Sequence, residues 1–188
     1  MADTTLLLID IQNDYFPGGK YPLAGMEAAA QEAARLLEAA RRSGLGVVHV
    51  RHESPDPEAG FFGAGTIGAE ISPAVLPKGD ELVVVKQNVN AFLDTGLDAA
   101  LKARGTAELV IVGAMSHMCV DAATRAALDL GYGVTVAHDA TATRDLAFDG
   151  AEVPAPSVQT AMMAALEFAG ARMKSGAQIA QEWSGEGR

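Results

Sequence analysis

The sequence holds one cysteine, Cys119, among 188 residues. A lone thiol cannot close an internal disulfide and cannot by itself build a thiolate metal centre. Aromatic residues are scarce, at 5% with a single tryptophan, so the core must be packed mainly from aliphatic side chains. Basic residues are few as well: 14 Lys and Arg stand against 24 Asp and Glu, a formal net charge of -10. Such a field repels nucleic acid and anionic membranes at long range, so neither is expected as a partner. No apolar run approaches the ~20 residues of a membrane span. The opening MADTTLLLIDIQNDYF has no basic leader, and its short apolar run is closed by Asp10, unlike a secretory signal. A cytoplasmic protein is expected. The 49% of hydrophobic residues and 20% of charged ones match a folded domain, and the length suits a single domain over 1–188.

Apolar bursts alternate with helical stretches. Strands are predicted over 5–9 (TLLLI), 46–50 (GVVHV), 81–85 (ELVVV), 107–112 (AELVIV) and 133–137 (GVTVA), with a short sixth over 171–174. Helices are predicted over 25–42, 95–104, from Cys119 to about Leu130, over 155–169, and for a last turn or two over 177–183. The strands are continuously apolar instead of alternating, as when both faces of a parallel sheet are covered. Strands bounded by glycine and separated by helices form βαβ units with right-handed crossovers. The expected fold is α/β: a three-layer α-β-α sandwich, Rossmann-like, around a mostly parallel sheet of about six strands. Between 51 and 79 no element is evident. Loops of that length often act as lids or interface segments, and Phe61 and Phe62 at its centre suggest a lid, an oligomer contact or a cover for the protomer's own core.

In an open parallel sheet, ligands bind beyond the carboxyl ends of the strands. That rule selects few polar residues. Asp10 ends the first strand, Lys86 the third, Ser116, His117 and Cys119 follow the fourth, and His138 and Asp139 follow the fifth. Cysteine attacks a carbonyl as the thiolate, which a nearby ammonium and a helix amino end both favour. Asp10 can take the thiol proton and return it to a leaving amine. Lys86 can hold both in register, and backbone N–H groups of the 115–119 turn can serve a developing oxyanion. The bland alternatives are a strand-end aspartate, an exposed loop lysine and a cysteine that acts as a small hydrophobe. A nucleotide-binding domain does not fit, since neither G-x-G-x-x-G nor a Walker pattern follows the first strand.

The strings LLLIDIQNDYF, VVVKQNVNAF and GAMSHMCVDAATRAALDLGYGVTVAHDATATRD, in this order and spacing, resemble the isochorismatase-like superfamily of cysteine hydrolases, which includes nicotinamidases and carbamoylsarcosine amidohydrolase. The resemblance covers nearly the whole chain. It implies a catalytic triad of Asp10, Lys86 and Cys119, a non-proline cis peptide between Met115 and Ser116, and an oxyanion hole at Met115 or Ser116 with Cys119. It also implies that Gln12, Asn13 and Asp14 support the first loop and that Phe16 and Phe92 line the pocket. Two departures matter. The metal-binding aspartate of nicotinamidases is replaced by Arg51, leaving only His52 and Glu53 nearby while His49 points elsewhere, so no metal or other cofactor is expected. Arg51 then either meets the substrate or forms a surface ion pair. An acidic residue of the family is replaced by His117, which either contacts substrate or hydrogen-bonds within the turn. His138 and Asp139 are expected to shape the sheet edge, with Asp139 capping the turn that follows. With Cys119 in place the resemblance implies hydrolysis of a small molecule's C–N bond (amide, carbamoyl or ureido, not a peptide) over ether cleavage. A homodimer or homotetramer is the expected assembly. The other readings are an isochorismatase-type hydrolase of a non-amide substrate and a binding protein without turnover.

Overall fold

A computed structural model describes residues 3–56 and 58–185. Six strands form one parallel sheet: β1 (Thr4–Ile9), β2 (Gly46–His52), β3 (Leu82–Lys86), β4 (Glu108–Ala114), β5 (Gly133–Ala142) and, named out of turn, β8 (Arg172–Lys174). Their order across the sheet is β3-β2-β1-β4-β5-β8. The helices are α1 (Met26–Arg42), α2 (Leu97–Ala103), α3 (Asp121–Asp129), α4 (Ala155–Phe168) and α5 (Gly176–Ser184). Among the described residues, no helix is long and apolar enough to cross a membrane.

The period-2 alternation of a strand sorts its side chains onto two faces. Leu6 and Leu8 enter one core with α1 residues Leu36 and Leu37 and α5 residues Ile179 and Trp183. Leu7 and Ile9 enter the other with Leu97 and Leu101 of α2, Ala123 and Ala127 of α3 and Leu166 of α4. The three layers expected from the continuous apolar runs are therefore present. The buried face of α1 recurs at Met26, Ala29, Ala30, Ala33, Leu36, Leu37 and Ala40, the spacing of an amphipathic helix. Small alanines there let the helix lie close on the sheet.

Two features differ from the sequence-based expectation, and a third decides among its alternatives. The strand at 133–137 continues to Ala142, because its pairing with β4 slips: Ile111 faces Val136, yet Gly113 faces Thr141. Three extra residues leave the ladder there, a bulge beside the functional turn. A hairpin of β6 (Leu146–Phe148) and β7 (Ala151–Val153) was not expected. Its signal is the Asp149-Gly150 pair, both at positive φ (48 and 76), as a two-residue hairpin turn demands. Finally, the long loop is not an open lid. Phe62 is fully buried, with its ring 4.6 Å from Tyr15 and 4.9 Å from Phe61, and Phe61 stacks on Tyr21 at 4.6 Å. These phenylalanines cover the protomer's own core.

Gly113 is fixed by a close approach in the sheet centre. Its φ is 121, and a Cβ there would lie 1.9 Å from the Ile9 carbonyl oxygen. Strain and overlap with backbone act together. Gly113→Ala is expected to lower stability by on the order of 3 kcal/mol, read as an earlier urea midpoint at unchanged slope; a wild-type midpoint would contradict the packing described.

Candidate active site

The first polar residue beyond β1 is Asp10, held at φ 51, in the left-handed region that aspartate tolerates better than most residues. Its N–H donates to the Val50 carbonyl at 2.9 Å, so the chain stays attached to β2 as it turns. Asp10 is on the strand next to β4, and Cys119 follows β4. Lys86 ends β3, two strands from β1, about 10 Å at the usual spacing. Only a long side chain can cross the end of β2 to reach Asp10, and Lys86 does. Its Nζ lies 2.9 Å from Asp10 Oδ2, and both side chains are fully buried.

The ammonium has four neighbours. Besides Asp10 it meets Cys119 Sγ at 3.3 Å, His52 Nδ1 at 3.1 Å and the Asn88 carbonyl at 3.1 Å. It has three N–H donors to share among them, and the Asp10 contact is a fully buried ion pair. A carboxylate has lone pairs left for another proton. His52 is at the end of β2, in register with Lys86. Burial and the Lys86 charge outweigh Asp10 and hold its imidazole below the usual histidine range. It is therefore neutral and can accept from the amine at Nδ1.

Burial alone would depress the Lys86 ammonium, but Asp10 and Cys119 more than offset it, and its pKa is raised. Burial, then the Asp10 charge, pushes the Cys119 thiol up against the opposing pull of Lys86. The ammonium expected to favour the thiolate is thus opposed by burial and by the Asp10 carboxylate. The position of Cys119 is corrected. Cys119 falls in a single π turn, Ser116–Val120, and α3 begins only at Asp121. The cis peptide is Ala114–Met115, one bond before the expected Met115–Ser116. Within the turn, the N–H groups of Met118 and Val120 donate to the Met115 carbonyl at 3.0 and 3.2 Å.

The other candidates divide. His117 Nδ1 lies 2.6 Å from Thr143 Oγ1, and burial followed by the Arg144 charge keeps its pKa low. Arg51 pairs with Glu53 at 2.6 Å, the surface-pair alternative. Phe16 packs on the α1-side core, and Phe92 packs on the opposite one, its ring 6.2 Å from Tyr132. His49 turns to Glu81 at 3.0 Å. With His52 on Lys86 and Glu53 on Arg51, the donors weighed for a metal are dispersed. No group of three His, Cys, Asp or Glu able to hold an ion occurs among the described residues. Asp139 caps α5 through the Gly176 N–H at 2.8 Å, not the turn that follows it.

Gln12 gives Nε2 to the carbonyls of His52 and Ala69 at 2.7 and 2.8 Å and accepts the His52 N–H at 2.8 Å. Asn13 donates to Ile67 O at 2.9 Å, and Asp14 accepts the Phe62 N–H at 2.6 Å. The first loop thus holds the long loop as well as itself. Three contributors escaped the sequence reading. Tyr15 is buried, and burial with the charges of Asp10 and Cys119 raises its phenol pKa. The guanidinium of Arg144 stands 4.3 Å over the Tyr21 ring. Gln159, from α4, reaches Ser116. Tyr15 could have been found as the neighbour of Phe16; Arg144 and Gln159 left no local signal.

Residues 4–170 match the isochorismatase domain. An uncharacterized isochorismatase family protein of Bacillus subtilis, YddQ, is 46% identical over 172 residues, 92% of this chain and 96% of that one. A streptothricin hydrolase of Streptomyces noursei is 35% identical over 182 residues, 93% of this chain but 60% of the longer relative. A solved protein of Oleispira antarctica, described as an isochorismatase hydrolase, superposes with TM-score 0.91 at 52% identity, covering 95% of this chain and 96% of its own.

The electrostatics give opposite signs for two substitutions. Iodoacetamide should alkylate Cys119 slowly near pH 7 and faster well above the usual thiol pKa of about 8.5. Asp10→Asn removes the charge that raises the thiol, so alkylation near neutrality should quicken. Lys86→Met removes the opposing ammonium and should slow it. Intact-mass time courses on folded protein measure both; an Asp10→Asn rate at or below wild type would contradict the assigned charges.

Proposed function

Because the chain belongs to the isochorismatase family, we propose that it is a cysteine hydrolase that cleaves a C–N bond of a small amide, carbamoyl or ureido compound through a thioester intermediate. The observation that carries this reading is the shared ammonium, with Lys86 Nζ 2.9 Å from Asp10 Oδ2 and 3.3 Å from Cys119 Sγ. A nucleophile, a proton acceptor and a fixed positive charge meet in one buried cluster.

The steps follow from proton positions. Substrate binding brings a carbonyl carbon to Sγ. The thiol proton passes to Asp10 as the S–C bond forms, and Lys86 offsets the charge during transfer. The carbonyl oxygen becomes an oxyanion. Met118 and Val120 N–H groups are already committed to Met115 O, so the proposed donors are the N–H groups of Met115 or Ser116 and Cys119. When the C–N bond breaks, the nitrogen takes the proton back from Asp10 and leaves as a neutral amine or ammonia. Water then gives a proton to Asp10 as it attacks the thioester, the acid departs, and the proton returns to sulfur. A vinyl ether offers no carbonyl carbon for this sequence, which favours C–N cleavage.

Substrate contacts belong to the same proposal. His117 and Phe16 flank the turn and the first loop, and Phe92 supports the far side. Arg51 is engaged by Glu53, whereas Arg144 is held by an aromatic face beside His117. Arg144 is the cation we assign to a negatively charged substituent of the substrate. We take the protein to be a cytoplasmic homo-oligomer acting without a cofactor.

Ammonia release from a panel of primary amides, ureido acids and maleamate-like compounds tests the reading. Activity should fall at least about a thousandfold in Cys119→Ala. Slow substrates should leave an acyl mass on the wild-type protein and none on the variant. Release that survives Cys119→Ala would sink the nucleophile assignment.

A further inference from the structure

The turn that carries Cys119 is short and must hold its amides still, yet its supports come from distant parts of the chain. Ser116, the first residue of that turn, is fully buried. Its single hydroxyl hydrogen faces Gln159 Oε1 at 2.6 Å, with the Ala142 carbonyl at 3.1 Å as the longer alternative. Gln159 cannot be reversed in this setting. Its Nε2 donates to the His138 carbonyl at 3.0 Å and to Thr141 Oγ1 at 2.8 Å, while Thr141 Oγ1 donates to the same His138 carbonyl at 3.0 Å. Acceptors surround Nε2, so Oε1 must face the serine.

The location adds weight. His138 and Thr141 bracket the stretch where β5 leaves register with β4, so ladder bonds do not fix this segment against the turn. Gln159 fills that gap, tying the slipped strand to the turn from a third element. Of the fourteen residues of α4, Ala155, Val158 and Leu166 are buried, and Gln159 adds a polar tie beside them. A polar side chain from a lightly buried helix, with every amide atom committed, is more than packing requires.

We propose that Gln159 is a positioning residue for the hydrolysis: through the Ser116 hydroxyl it holds the Ser116–Val120 turn, so that the oxyanion donors and Cys119 keep their mutual geometry. The role in turnover rests on the cysteine-hydrolase reading above; the restraint on the turn does not. Gln159 touches no reacting atom. Its loss weakens the transition state by loosening donors and leaves ground-state binding largely intact.

The test combines Gln159→Leu, Ser116→Ala and the double variant. Ser116→Ala keeps the backbone N–H. On a substrate identified with the wild type, each single variant should lose about tenfold to a hundredfold in kcat with little change in KM. The double variant should be no worse than the poorer single one, because both break one connection. Deuterium exchange of the peptide spanning 113–120 should quicken in Gln159→Leu while the rest of the folded protein exchanges as before. Additive losses in the double variant would overturn the proposal, as would a lowered Tm with unchanged kcat and unchanged exchange in the turn. If no amide is turned over, the hydrolase reading fails separately, and the exchange of 113–120 still decides whether Gln159 holds the turn.

Discussion

A buried ammonium is costly to keep. Taking a charge out of water carries a penalty of several kcal/mol unless partners replace the lost hydration. The end of this sheet is organised to supply such partners to Lys86: a carboxylate from β1, a neutral imidazole from β2, a carbonyl just beyond β3 and a thiol from beyond β4. Four segments from distant parts of the sequence have to arrive together for the amine to be tolerated. The site therefore exists only while all four segments are in place. The same arrangement sets burial and the Asp10 charge against ionisation of the thiol. An ammonium already neutralised by Asp10 has little attraction left for a second anion, and the thiolate gains its full benefit only once Asp10 accepts a proton.

The loop between β2 and β3 has a related logic. Among its described residues the regular elements are the short turns Ile67–Ala69 and Pro73–Val75, yet it is stitched to the first loop through Gln12, Asn13 and Asp14. Gly68 belongs to this fit, since a Cβ there would fall within 2.2 Å of the Asp14 carboxylate. Backbone groups that would otherwise need water find side-chain partners instead. The wall beside His52 is therefore built in advance, with Phe62 packed between the two loops.

Much of this was legible in the sequence, for identifiable reasons. Continuous apolar strands bounded by glycine gave the layer order, because parallel sheets bury both faces. Asp10, Lys86 and Cys119 stood out because polar residues at strand ends are few. What stayed hidden depends on partners remote in sequence. The slip of β5 against β4 has no local mark, and whether Phe61 and Phe62 made a lid, a contact or a core cover stayed open because their partners, Tyr15 and Tyr21, lie some forty residues earlier. Gln159 looked like an ordinary polar helix residue. The thiol's protonation could not be read from spacing, since it turns on whether the amine's charge is already spent.

Lys86 also belongs to one of the two edge strands. β3 pairs with β2 alone, and Val83 and Val85 on it are exposed. An edge strand is the part of a sheet that opens first, at a cost well below that of global unfolding. Each such opening withdraws the amine from Asp10 and Cys119 while the central strands stay paired. The amine of the site is thus carried by a strand held on one side only, and local opening at that margin disturbs the cluster before the fold is lost.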